Sequence, residues 1–219
     1  MEAAARSKNT KFFTKLISPK QPQRASPRSH PSAKSAAHRT HTMGKLLIAG
    51  GTAPFAGWLA AHLQSQGHQV RVTATSAPTA PLPAGVEFVL CQLGHEDEYS
   101  LGEAVYFGCE QIVLLTNCTA FGSTDANWLD VATRGNFNLL CAACGRDVRR
   151  VIVVSCLDIF ASYAEDLAVD ENFRPRPSLA PTQLGPHLTE FLAREFAHTH
   201  GGLNVTVARV GMLSPTTLG

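Results

Sequence analysis

Between residues 45 and 209 the chain alternates short runs of aliphatic and β-branched residues with longer helix-period segments, and this alternation restricts the fold more than any other feature. The runs fall at residues 45–49, 69–73, 86–91, 111–115, 150–155 and 205–209. Helical patterns fall at 55–66, 101–107, 128–144 and 187–198, and the first of them stops at Gly67, a residue suited to ending a helix. Residues 163–181, polar and bearing prolines, read as a loop. Strands alternating with helices predict an α/β protein with a doubly wound parallel sheet. The run at 45–49 should be central, between 69–73 and 111–115. The near-continuous apolar run at 150–155 suits a strand buried on both faces.

With 219 residues the chain is long enough for one well-buried domain and short for two. Its charge is unevenly placed. Residues 1–42 hold nine of the nineteen Lys and Arg and only one acid, Glu2, which leaves ten basic against sixteen acidic residues, a net of −6, from Met43 onward. Charge therefore argues against a nucleic-acid-binding surface on the globular part. The basic leader, rich in Ser and Pro, cannot bury enough apolar surface to fold alone. It reads as an organelle transit peptide, as a disordered extension, or as sequence ahead of a start at Met43. The expected compartment is the cytoplasm, or an organelle if the leader is a transit peptide. No apolar run of about 18 residues supports a membrane span. The domain expectation is a disordered extension over 1–42 and one folded unit over 43–219.

Six cysteines, at 91, 109, 118, 141, 144 and 156, are scattered through the strand and helix patterns. Cys141 and Cys144 form the one close pair, late in a helical pattern, whereas a redox-active pair gains its low pKa at a helix start. No second ligand pair accompanies them to hold zinc, so buried free thiols are expected and no metal.

The loop GGTAPFAG, residues 50–57, joins the first run to the first helical pattern, where a glycine loop can cradle phosphates. The segment around it, LLIAGGTAPFAGWLAAHLQSQGHQVRV, resembles the opening of the extended short-chain dehydrogenase/reductases, the NAD-dependent epimerase/dehydratase group. NFNLLCAACGRDVRRVIVVSC and FLAREFAHTHGGLNVTVARVGMLSP resemble later parts of the same group, in the same order, so that the likeness runs from Met43 to about Pro215. The resemblance implies a Rossmann fold binding NAD(P) across Gly50, Gly51, Thr52, Pro54, Phe55 and Gly57, at the carboxyl ends of the strands.

Individual positions depart from the family pattern. Gly50 and Gly57 match its first and third glycines, the third serving close helix-on-sheet packing, but the second falls on Ala53 and Pro54. Pro54 has no N–H for a phosphate and adds a ring where the cofactor would approach. The acid that grips the ribose of NAD is absent from residues 43–86, and the corresponding strand end reads Ala74, Thr75, Ser76. NADP is therefore slightly favoured over NAD. The family's adenine-facing aspartate falls on Gln92. Its catalytic serine falls on Cys156, next to Ser155, its tyrosine on Thr182 and its lysine on Pro186. A threonine hydroxyl is too weak an acid for proton transfer near neutral pH, and proline has no charge to tune one. His187, one residue on, could in principle assist Ser155 or Cys156 as a nucleophile. Pro186, with Gly185 as cap, is expected to begin its helix, leaving Thr182 in the preceding loop.

The function expected from the sequence is an NAD(P)-binding Rossmann protein without the Tyr/Lys pair, truncated before the substrate domain. The alternative is a non-catalytic scaffold or binding domain reusing the fold. If a dinucleotide binds, Pro54→Gly tightens it, because a backbone donor is restored and a ring removed. Titration of the variant against the wild type reads this directly, and weaker binding with the fold intact would show that Pro54 is accommodated another way.

Overall fold

The computed structural model describes residues 44–53, 55–78, 80–91, 93, 106, 108–116, 124–164 and 166–211. Its strands are β1 (Lys45–Ala49), β2 (Gln69–Ala74), β3 (Glu87–Leu90), β4 (Gln111–Leu114), β5 (Arg150–Cys156) and β6 (Asn204–Val210). They form one sheet in the order β3-β2-β1-β4-β5-β6, and every pairing is parallel. The expected arrangement is thus observed, with β1 between β2 and β4.

The helices are α1 (Ala56–Ser65), α2 (Asp125–Asp130), α3 (Asn136–Cys144) and α4 (Pro181–Thr199). A parallel sheet needs cover on both faces, and the strand side chains divide accordingly. Leu47, Ala49, Ile112, Leu114, Val151 and Val153 pack on one side with Leu139, Leu140, Ala193 and Phe196 from α3 and α4. Leu46, Ile48, Val113, Leu115, Ile152 and Val154 pack on the other with Phe55, Leu59 and Leu63. Neighbouring residues in each strand alternate between the two cores because the strand period is two. Among the described residues no helix is long and apolar enough to cross a membrane.

The helix expected over 128–144 is divided. Thr124 caps α2, its Oγ1 accepting from the Asn127 N–H at 3.3 Å, and a π-helical turn, Val131–Gly135, separates α2 from α3. Two features hold the wide turn. A Cβ on Gly135 would stand 2.9 Å from the Leu93 carbonyl oxygen, so only glycine allows this approach. Beside it, the buried Asn136 side chain donates to the Ala132 carbonyl (3.2 Å) and to Thr189 Oγ1 (3.0 Å), and accepts from Thr116 Oγ1 (3.1 Å). One amide thereby joins the end of β4 to α3 and α4. The helical period of the apolar residues persists across the junction, so the interruption left no mark in the hydrophobic pattern.

Of the cysteines, Cys91 and Cys109 are buried as expected, whereas Cys141, Cys144 and Cys156 are half-buried, and all five are free thiols. Cys118, Gln92, Pro54 and most of the helix expected at 101–107 lie outside the described residues.

Gly135→Ala is expected to destabilise the protein by about 1–2 kcal/mol, overpacking against backbone outweighing the gain of about 1 kcal/mol that alanine brings to a helix. Urea unfolding measures it, and a stabilised variant would mean that the Leu93 contact yields freely.

Candidate functional site

The strand order changes direction between β1 and β4, and in such sheets the crevice outside the carboxyl ends at this point is the ligand-binding position. Gly50 shapes one side of it. Its φ is +103°, and a Cβ there would lie 2.7 Å from the Leu115 carbonyl carbon and 2.8 Å from the Thr116 nitrogen. Left-handed backbone and close approach both require glycine. A Cβ on Gly51 would stand 2.3 Å from Val72 Cγ1. The N–H groups of Gly50 and Gly51 both donate to the Thr73 carbonyl at 2.9 Å, so these two amides fasten the loop to β2.

The rest of the loop differs from the sequence reading in two places. Phe55, expected beside a nucleotide, is 1% exposed and packs with Leu59 and Val72, so its ring anchors α1 in the core. Gly57, expected at a tight helix–sheet contact, has no described atom within 4 Å of where its Cβ would be. The close approaches are made by Gly50 and Gly51 instead. Thr52 is half-buried. Among the described residues no side chain caps the N-terminus of α1, and its first turn contains no acid, so neither competes with an anion for its positive end.

The second group of expected positions lies where β5 meets α4. Ser155 is fully buried and its Oγ has no hydrogen-bond partner among the described residues. Cys156, half-buried, points its thiol at the Thr182 carbonyl oxygen, 3.8 Å from Sγ. Burial pushes this thiol's pKa up, reinforced by the charges of Asp158 and Glu190 and opposed by the N–H groups of Asp158 and Ile159. The neutral thiol is favoured, which disfavours a thiolate nucleophile. His187 Nδ1 is buried without a partner among the described residues, and no hydrogen bond joins it to Ser155 or Cys156. Such a bond is what activation of either residue would require.

Helix α4 begins at Pro181, not at Pro186, so Thr182 is its second residue rather than part of a loop. Three features set this start. Pro181 occupies the first helical position, where a missing N–H costs nothing. Gln183 Oε1 accepts from the Ser178 N–H at 2.8 Å, and Ser178 Oγ accepts from the Ala180 N–H at 3.2 Å. Pro186 is then carried inside the helix, buried, one turn after Thr182. It cannot donate to the Thr182 carbonyl, and the Cys156 thiol takes that acceptor. The cue was present in the sequence as two prolines five residues apart, the earlier with a glutamine two positions on.

Sequence reading also left Glu190 without a role. Its carboxylate, 1% exposed, accepts from Arg209 Nε (3.0 Å) and Nη2 (2.8 Å) and from Arg194 Nη2 (2.8 Å). The ion pair raises the pKa of Arg209 against the effect of burial, and the guanidinium lies 5.0 Å over the Phe160 ring.

No protein-family model and no curated protein sequence matches the chain. Solved structures do. A short-chain dehydrogenase/reductase superfamily protein from Agrobacterium tumefaciens with bound NAD is 26% identical, with a TM-score of 0.62 over 75% of this chain and 48% of that one. The UDP-glucose 4-epimerase of Thermus thermophilus in complex with NAD is 21% identical, with a TM-score of 0.63 over 75% and 54%. The UDP-glucuronic acid 4-epimerase of Bacillus cereus in complex with NAD is 15% identical, with a TM-score of 0.63 over 77% and 56%. The chain thus has the Rossmann fold of the short-chain dehydrogenase/reductases and NAD-dependent epimerase/dehydratases, and spans about half the length of the structures it matches.

Pro186→Ala is expected to stabilise the protein by about 1 kcal/mol. A proline inside a helix costs about 3 kcal/mol, and the lost ring methylenes return about 2 kcal/mol of that. A fall in the urea midpoint would show that the ring's packing outweighs the missing hydrogen bond.

Proposed function

We propose that the chain is a dinucleotide-binding Rossmann domain lacking the proton-transfer chemistry of the dehydrogenases and epimerases it resembles in fold. The observation that carries this reading is the N-terminus of α1. It lies beside the strand-order switch, without a side-chain cap or an acid in its first turn, and with open space at Gly57. Helix N-termini so placed bind phosphate through backbone N–H groups and the positive end of the dipole. The NAD carried by structures of the same fold supports the same occupant. The diphosphate would sit across Gly51, Thr52, the backbone at Pro54 and Phe55, and Gly57, with Gly50 making the turn, while Gln92 would hydrogen-bond the base.

No carboxylate follows β2 to hold a ribose diol, since residues 74–76 are Ala, Thr and Ser, so NADP is slightly favoured over NAD. The preference rests on a missing acid rather than on an added cation, because Arg71 pairs with Glu87 across β2 and β3. At the catalytic positions Cys156 offers a neutral thiol, Thr182 a weakly acidic hydroxyl and Pro186 no charge. Hydride transfer on a sugar nucleotide has no acid or base among these three. In this reading the domain spans residues 43–219, with 1–42 as an extension.

One observation favours a scaffold reading, in which the loop is only a turn. The Gly50 and Gly51 amides are satisfied by Thr73 without any ligand. Thermal unfolding with NAD, NADH, NADP and NADPH separates the two readings, because a ligand that binds only the native state stabilises it by about 2.7 kcal/mol at a hundred times its Kd. The expected result is an upward shift in melting temperature with all four, slightly larger for the phosphorylated pair, and no turnover of sugar nucleotides. No shift with any dinucleotide at millimolar concentration would leave the scaffold reading.

A further inference from the structure

A cleft of about 730 Å³ opens beside β6, two strands away from β4 and its crevice. Its volume falls within the range of small-molecule sites. One wall is built on the Glu190 ion pair. Arg209 and Arg194 share that single carboxylate, which leaves one unit of positive charge in excess where both line the cleft. Arg209 is held rigidly, by two hydrogen bonds to Glu190 and by stacking on Phe160, and its Nη1 has no partner among the described residues. Arg174, on the opposite loop, is exposed and its guanidinium has no described partner.

The remaining lining is part apolar and part acidic. Phe160 and Phe173 present rings, and Leu157 and Val169 line the cleft while 49% and 39% exposed, which is high for side chains of this kind. Asp170 and Glu171 also line it, and Asp170 accepts from the Asn172 N–H at 2.8 Å within its own turn. With Glu190 these two acids balance Arg174, Arg194 and Arg209 over the cleft as a whole, which opposes a polyanion and confines the positive charge to the arginine wall.

We propose that this cleft binds a monocarboxylate with an apolar or aromatic body, its carboxylate on the guanidiniums of Arg194, Arg209 and Arg174 and its body against Phe160, Phe173, Leu157 and Val169. Guanidinium is the side chain suited to a planar carboxylate, through paired, charge-assisted hydrogen bonds. The site is separate from the dinucleotide crevice and does not depend on it.

Calorimetric titration with 3-phenylpropionate, with its neutral amide and with inorganic phosphate tests the assignment. The carboxylate is expected to bind at least about tenfold more tightly than the amide, the difference made by hydrogen bonds to charged groups. Arg194→Met and Arg174→Met should each weaken the carboxylate several-fold and leave the amide unchanged. Arg194 is half-exposed, and Arg209 still pairs with Glu190 in its absence, so that variant is expected to fold. Arg174→Met, in an exposed loop, provides the same reading if it does not. Equal binding of acid and amide, tighter binding of phosphate, no binding at millimolar concentration, or affinity unchanged in Arg174→Met would each overturn the proposal.

Discussion

The Glu190 carboxylate does more than any other side chain to set the α4 half of the molecule. It is buried on α4 and binds Arg209 of β6 through two hydrogen bonds, while Arg194, one helical turn on, closes it from the other side. A buried carboxylate left alone would be very costly, so the helix can dock only where the guanidinium meets it. That docking brings the start of α4 to the end of β5, where Cys156 reaches the Thr182 carbonyl. It also orients Arg209 over Phe160 and so forms one wall of the cleft beside β6. The pair specifies position more than it adds stability, because the desolvation of both ions offsets much of their attraction.

The sheet was legible in the sequence because burial on both faces leaves a signal that survives the loss of any functional residue. Every strand from β1 to β6 was placed to within about two residues, and parallel pairing with β1 between β2 and β4 followed from the alternation with helices. Legibility failed where one residue could serve two positions. Pro186 suits a first helical position and Pro181 suits it equally; the choice was made by Gln183 and Ser178, whose hydrogen bonds are local and polar and leave no hydrophobic period. The π turn at Val131–Gly135 was hidden for a related reason. It depends on a contact between Gly135 and Leu93, forty-two residues apart, and on an Asn136 network reaching three elements.

In the glycine loop the spacing of residues decides some positions and not others. Gly50 could be assigned from spacing alone, because only a residue without Cβ turns left-handed against Leu115 and Thr116. Phe55 could not, since a ring after a glycine loop can equally face a ligand or the core, and what decides is the space between Leu59 and Val72. Gly57 shows the converse. A glycine in the expected place does not imply the expected contact, and here no described atom lies within 4 Å of where its Cβ would be.

Residues that hold this fold and residues that would do chemistry on it are therefore largely different sets. Gly50, Gly51, Asn136, Glu190 and Arg209 each satisfy a steric or polar requirement that the sheet and helices impose whether or not a ligand is present. The Thr182 side chain satisfies no such requirement. Thr182 is exposed on the helix and contributes only its carbonyl to Cys156, and Pro186 is tolerated because that thiol takes the acceptor it leaves. The crevice at β1 and β4 differs, because its shape is made by Gly50 and Gly51, whose close approaches to Leu115, Thr116 and Val72 the core itself requires.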